Sequence, residues 1–204
     1  MSNTPLSKLS PANLNEALLS EENNLDDILE QAQGHLQLQM LLIEVASCND
    51  QADFDLIARA YHFAHECHAG QMRKSGRPFL QHCVEVARIL AQLRLDTTTV
   101  AVGLLHDVLE DTSVTFEQVS DQFGDKIATL VDGVTKIDHL TFDSQEKRQA
   151  ETYRKMLLFM VEDIRGILIK FADRLHNMRA LEHVDPKKQK RTAHETLDVY
   201  APLA

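Results

Sequence analysis

The stretch Gly103-Leu104-Leu105-His106-Asp107-Val108-Leu109-Glu110-Asp111 carries the densest chemistry in the chain. An apolar run suddenly presents one imidazole and three carboxylates. Burying such groups is costly unless they are paired or bound to metal. On a helix of about 3.6 residues per turn, His106 and Asp107 diverge by about 100° and can share an ion only at one edge of a face. Glu110 and Asp111 follow them by one turn on that same edge. Two ligand candidates and two acid/base candidates therefore stand together. On its own, a bare His-Asp pair is a weak motif and is better read as a solvated acidic helix end beside a satisfied core histidine.

Two further positions bear on the choice. His82, in Pro78-Phe79-Leu80-Gln81-His82, falls near the start of the preceding helix, and Asp173 interrupts an otherwise apolar helix in Lys170-Phe171-Ala172-Asp173. Two imidazoles with two carboxylates suit Mn²⁺ or a similar divalent ion. A two-metal centre would need more histidines between His106 and Asp173, where only His139 lies. One ion is expected.

These residues need helices to position them. With 7 Gly and 5 Pro in 204 residues, the chain favours long helices over many short strands. Ser10-Pro11 marks a helix start, with Pro at the first helical position. Leu25, Ile28 and Leu29, then Leu36, Met40 and Ile43, recur at helical spacing, giving a helical appendage over residues 1–50. From Asp53 onward the pattern strengthens. Leu56, Ala60, Phe63 and Ala64 stripe a helix ending near Ala69-Gly70, and 71–78 reads as a cationic loop. Helices are expected over about 80–93, over about 97–109, and from the Thr115…Gln118 capping box to Gly124. Residues 125–136 continue helically into a loop over 138–144. Helices over about 146–160 and 163–182 and one opened by Asp185-Pro186 complete the chain. The fold class is all-α.

The formal charge of 21 − 31 = −10 excludes whole-surface attraction to nucleic acid or anionic membrane. Any polyphosphate substrate must meet cations concentrated locally. Cys48, Cys67 and Cys83 are odd in number and lack a C-x-x-C spacing, which suits a reducing cytoplasm. The polar N-terminus has no signal-peptide pattern, and no apolar run reaches the roughly 18 residues of a membrane span.

Taken together, His68-Ala69-Gly70-Gln71-Met72-Arg73-Lys74-Ser75-Gly76-Arg77-Pro78, His82, His106-Asp107, Glu110-Asp111, Gly133-Val134-Thr135-Lys136 and Asp173-Arg174-Leu175-His176-Asn177-Met178-Arg179 resemble the hydrolase domain of the RelA/SpoT family. The resemblance covers residues 51–204 and implies an HD-domain helical bundle. It implies hydrolysis of the 3′-pyrophosphate of the alarmones (p)ppGpp to GDP or GTP plus pyrophosphate. His82, His106, Asp107 and Asp173 would hold one Mn²⁺. Glu110 and Asp111 would position water and handle protons. Arg73, Lys74, Ser75 and Asn177 would hold the guanosine nucleotide. In long family members YAPLA runs on toward a synthetase domain, so the chain is expected to precede such a domain in cis. Two residues depart from the family pattern. Arg77 stands where an acidic residue is usual, and Ala180 stands where many relatives have Thr.

Other patterns have plainer readings. His65-Glu66-Cys67-His68 imitates a zinc site but lacks a second ligand pair, and His68 is expected to pin the adjacent loop. His176, three residues after Asp173, is expected to support a ligand rather than bind metal. Lys187-Lys188-Gln189-Lys190-Arg191 reads as a solvated helix face. Two functional alternatives stand beside the alarmone hydrolase. One is an HD phosphohydrolase of other nucleotides, and the other a catalytically silent nucleotide-binding domain.

Overall fold

The computed structural model of the protein describes residues 25–138, 154 and 163–204. Every regular element among them is a helix, and the single β-bridge, Met72 to Pro78, sits in a loop. The fold is all-α, as expected. The helix start at Ser10-Pro11, the loop over 138–144 with His139, and the helix expected over 146–160 lie outside the described residues, Arg154 apart.

The core is built around α5 (Thr97–Leu105), whose residues Thr99 to Leu105 are all buried. A helix apolar on every side belongs in the middle of a bundle. It is started by Asp96, whose carboxylate accepts from the Thr99 amide. Around it lie α3 (Phe54–Cys67) and α4 (Phe79–Gln92), which make its largest contacts, with α8 (Asp125–Asp138) and α9 (Ile164–Arg179) beyond them. On α3, Phe54, Ile57, Ala60, Tyr61 and Ala64 turn inward at helical spacing, and Asp53 caps the first turn. A Cβ added at Gly103 would stand 2.5 Å from Leu90 Cδ1 and 3.3 Å from the Ala87 Cα. The glycine therefore lets α5 lie directly against α4.

The N-terminal elements are α1 (Leu25–Gln31) and α2 (Leu36–Cys48). Leu38, Leu41, Leu42 and Val45 of α2 enter the same core as the central helices. Leu36, Met40 and Ile43, the stripe singled out by spacing, face solvent instead. This helix is apolar on two edges, so periodicity alone offers both, and packing selects the edge with the denser leucines. Arg88 and Gln92 of α4 both donate to Glu44, clamping α2 in place.

The helix expected to run from 97 to 109 is broken. α5 ends at Leu105, and a one-turn helix, α6 (Val108–Asp111), follows. Asp107 between them has φ −100° and ψ −3°, a turn conformation rather than a helical one. The capping box of α7 (Phe116–Phe123) is present as expected, with Thr115 and Gln118 each bonded to the other's backbone. After α9 come a 3₁₀ turn (Leu181–His183), α10 (Pro186–Glu195) capped by Asp185, and a wide helical turn over Thr196–Tyr200. Among the described residues no helix is long and apolar enough to cross a membrane.

Candidate metal centre and nucleotide pocket

The break after α5 creates the centre. Nδ1 of His106 lies 2.9 Å from the Gly103 carbonyl oxygen, one turn earlier. A carbonyl can only accept, so Nδ1 donates a proton to it and Nε2 is the atom turned toward the carboxylates. From α4, His82 places Nδ1 against Nδ1 of His176 on α9 at 2.7 Å, which likewise leaves Nε2 for another partner. His176 thus supports a ligand candidate, in keeping with the reading of the sequence.

Both Nε2 atoms are buried and lack a hydrogen-bond partner of acceptable geometry. Carboxylates surround them. Asp107 Oδ1 is 3.0 Å from His106 Nε2, and Asp107 Oδ2 is 3.5 Å from His82 Nε2. Asp173 Oδ1 lies 3.1 Å from His82 Nε2 and 4.0 Å from His106 Nε2. The donor atoms of His82, His106 and Asp107 all fall within 4.8 Å of one another. Imidazole nitrogens and carboxylate oxygens converging in this way are what a divalent transition ion requires.

The electrostatics point the same way. Burial works against a charged His106, yet the carboxylates of Asp107 and Asp173 raise it to about 9. Burial would also raise Asp173, but the His82 and His106 imidazoles hold it at about 2. Asp107 is likewise held well below the carboxylate range despite its burial, chiefly by His106. Burial, with His82 and Arg73 nearby, lowers His176 to about 4, so it stays neutral beside His82. The centre therefore favours positive charge between two stably ionised carboxylates.

This centre forms the floor of a pocket of about 600 Å³, a size suited to a small ligand. Glu110 and Asp111, exposed on α6, line one wall. Burial and the neighbouring Asp107 raise the Asp111 carboxyl above its ordinary range. The cationic loop lines the pocket as well. Its turn closes through Gly76 N–H to the Arg73 carbonyl at 2.9 Å, with Gly76 at φ 76°, a left-handed conformation suited to glycine. Arg73, Lys74 and Ser75 are thereby presented to the pocket. The Arg73 guanidinium lies over the Phe79 ring, 5.4 Å from its centroid, and donates to Asn177 Oδ1 at 2.9 Å. Asn177 in turn donates to Asp173 Oδ1 at 2.6 Å. All ten residues singled out in the sequence line this pocket or its floor.

Several contributors escaped the sequence reading. Phe79 is the platform for Arg73 and also stacks on His68 at 4.7 Å. His68 pins the loop as expected, through Gln71 at 2.8 Å, and Gln71 reaches on to the Asp111 carbonyl at 2.9 Å. Lys188 and Arg191, from the run expected to be a solvated face, line the pocket. Both are exposed, but α10 turns them toward the site. Ala180, one of the two departures, also borders the pocket, whereas Arg77 is exposed beside it.

Helical architecture and a buried His/Asp centre define an HD-type domain. Residues 60–204 match the family described as HD domain, and the chain belongs to it. Its relatives place it among the RelA/SpoT proteins. It is 50% identical over 163 residues to the GTP pyrophosphokinase of Myxococcus xanthus, covering 78% of this chain and 22% of that protein. It is 51% identical over 154 residues to the guanosine-3′,5′-bis(diphosphate) 3′-pyrophosphohydrolase of Vibrio cholerae, covering 76% and 22%. It is 50% identical over 148 residues to the bifunctional (p)ppGpp synthase/hydrolase SpoT of Escherichia coli K12, covering 72% and 21%. The chain therefore spans about a fifth of the length of these curated relatives. The solved structure of a metazoan SpoT ortholog, described as hydrolysing ppGpp, matches with a TM-score of 0.57 at 27% identity over 71% of this chain and 83% of that one.

Proposed function

We propose that this chain is a manganese-dependent hydrolase that removes the 3′-pyrophosphate of ppGpp and pppGpp, leaving GDP or GTP. One observation carries the reading. Two unpartnered imidazole nitrogens and two ionised carboxylates form the floor of a pocket whose wall is cationic. The names borne by the relatives supply the substrate class.

His82, His106, Asp107 and Asp173 would hold the ion. When bound, Mn²⁺ supplies Lewis-acid polarisation of a phosphoryl oxygen and lowers the pKa of water. Glu110 and Asp111 orient the attacking water from the pocket wall and manage its proton. The raised Asp111 carboxyl is the better placed of the two to return a proton to the leaving ribose oxygen. Arg73 offers a planar face to guanine, Lys74 and Ser75 meet phosphate oxygens, and Asn177 holds Arg73 and Asp173 in register. Water adds to the phosphorus of the 3′-diphosphate, the P–O bond to the ribose breaks, and pyrophosphate departs.

Residues 1–50 are read as an N-terminal appendage and 51–204 as the hydrolase domain, which in the whole protein would precede a synthetase domain in the cytoplasm. The deciding experiment is pyrophosphate release from ppGpp by this chain with Mn²⁺. Release of pyrophosphate with formation of GDP supports the reading. Turnover of dNTPs or GTP but not ppGpp would move the chain to another substrate class, and binding of ppGpp without turnover would make it a nucleotide-binding domain.

A further inference from the structure

Two sides of the pocket are joined through a residue that does not line it. His68 closes α3, its amide bonded to the Ala64 carbonyl at 3.0 Å. The residue is buried, and its side chain makes two contacts of different kinds. Nδ1 stands 2.8 Å from Gln71 Oε1. The far end of the same amide fixes the direction of that bond. Gln71 Nε2 donates to the Asp111 carbonyl at 2.9 Å, which leaves Oε1 to accept from Nδ1. The ring is stacked on Phe79, with centroids 4.7 Å apart and planes 18° from parallel. The remaining nitrogen, Nε2, is buried and has no hydrogen-bond partner among the described residues.

We propose that His68 is a positioning residue that sets two parts of the pocket through separate contacts. Its Nδ1–H, by way of Gln71, holds α6 with Glu110 and Asp111, and its ring, by way of Phe79, holds Arg73. The inference rests on the roles given above to Glu110, Asp111 and Arg73. A one-turn helix such as α6 is not stable by itself. Carbonyls at the end of a helix also lack partners within it. Here the Thr112 hydroxyl donates to the Val108 carbonyl at 2.6 Å, and Gln71 serves that of Asp111. Buried Val108 anchors the start of the turn, and Gln71 fastens its far end. The Arg73 guanidinium, in turn, lies over the half-buried Phe79 ring. The stack on buried His68 limits how far that ring can turn.

The loop backbone is secured without this side chain. The Gln71 amide bonds to the His68 carbonyl at 3.0 Å, the Phe79 amide to the Gln71 carbonyl at 3.0 Å, and the Arg73 amide to the Arg77 carbonyl at 2.9 Å. Substitution at His68 therefore alters what the ring carries and leaves the path of the loop in place. Phenylalanine keeps a ring against Phe79 and removes the donor. Asparagine keeps an N–H close to where Nδ1 stood and removes the ring. A residue that only filled space would show no such separation.

The test compares His68→Phe with His68→Asn, each checked by circular dichroism. Without substrate, NMR follows the backbone amides of Glu110 and Asp111 and the Nε–H of Arg73. The α6 amides are expected to move in His68→Phe and to stay in place in His68→Asn, and the Arg73 signal to do the reverse. Gln71→Ala should reproduce the α6 change and replaces His68→Phe if that variant unfolds. His68→Leu, which fills the space with neither ring nor donor, should show both changes, and its difference from His68→Phe supplies the ring's share if His68→Asn unfolds. In hydrolysis of ppGpp with Mn²⁺, His68→Phe should lose turnover about tenfold with KM within about twofold of the parent. His68→Asn should raise KM about threefold with turnover little changed. Signals and kinetic constants that move together in both well-folded variants, or in neither, would overturn the proposal. A parent that does not hydrolyse ppGpp would overturn the alarmone reading instead, and the NMR signals would still decide whether His68 governs α6 and Arg73 separately.

Discussion

Arg73 donates to Asn177 at 2.9 Å across 104 residues of sequence, tying the cationic loop to the helix that carries Asp173. The loop that would read the nucleotide and the helix that would hold the ion are thus joined by one hydrogen bond. A second, from Asn177 to Asp173, completes the link at 2.6 Å. The proposed nucleotide and metal sites would thereby be mechanically continuous.

Replacing Arg73 by Lys keeps the charge but removes the planar stack and the fork that reaches Asn177. Apparent ppGpp affinity is expected to weaken roughly tenfold, or about 1.4 kcal/mol, with metal content unchanged. Parallel titration of ppGpp and metal analysis check both halves. Equal affinity at equal metal content would transfer base recognition to another residue.

His106→Ala and Asp173→Ala remove donors that converge from different helices. Each is expected to lose bound Mn²⁺ and nearly all hydrolysis. Chelation of the parent should lower its melting temperature, because an ion bound only by the folded chain stabilises it by mass action. Full metal occupancy with retained activity in both variants would refute the ligand assignment.

Glu110→Gln and Asp111→Asn act on the wall rather than the floor. Both are expected to keep metal and nucleotide while turnover falls by about 10²-fold or more. Loss of metal, with the rate restored by added Mn²⁺, would instead make the residue a ligand.

Arg191→Ala and Lys188→Ala test the run of cations on α10. Affinity for ppGpp should fall in each, and its salt dependence should flatten, because a screened charge has been removed. Binding curves at two ionic strengths suffice. Identical curves for parent and variants would return these side chains to the solvent.

Much of this molecule was legible in its sequence, and the reasons differ by element. The capping box at Thr115 and Gln118, the Asp185-Pro186 start and the α3 stripe rest on local chemistry that tertiary context left intact. His82, His106, Asp107 and Asp173 stood out because polar groups inside apolar helices demand partners, whereas Arg73, Lys74, Ser75 and Asn177 were singled out only by the family resemblance, and all ten are brought to one pocket or its floor. Each miss turned on contacts between distant segments. The α5 helix stops at Leu105, whereas continuous apolar spacing through Val108 and Leu109 offers no signal for a break. The outward turn of Leu36, Met40 and Ile43 and the inward turn of Lys188 and Arg191 depend on what packs opposite. An isolated glycine at 103 within a helical pattern was the one available hint of close packing.

Gly103→Ala would force a methyl group to within 2.5 Å of Leu90 Cδ1. Overpacking of this kind costs about 1–3 kcal/mol, and a lowered denaturation midpoint is expected. Metal affinity should fall with it, since His106 would shift relative to His82. A variant as stable as the parent, binding metal equally well, would show that the two helices separate freely.

The glycine crossing also bears on which ions the centre accepts. With no side chain between α4 and α5, the separation of His82 and His106 is set by two backbones in contact, not by rotamers free to adapt. Little conformational entropy is left for that pair to lose when an ion arrives. Equally little slack is left for fitting an ion of different radius. Discrimination by size would therefore be a property of the helix crossing, and adjustment to coordination number would fall to the carboxylates of Asp107 and Asp173.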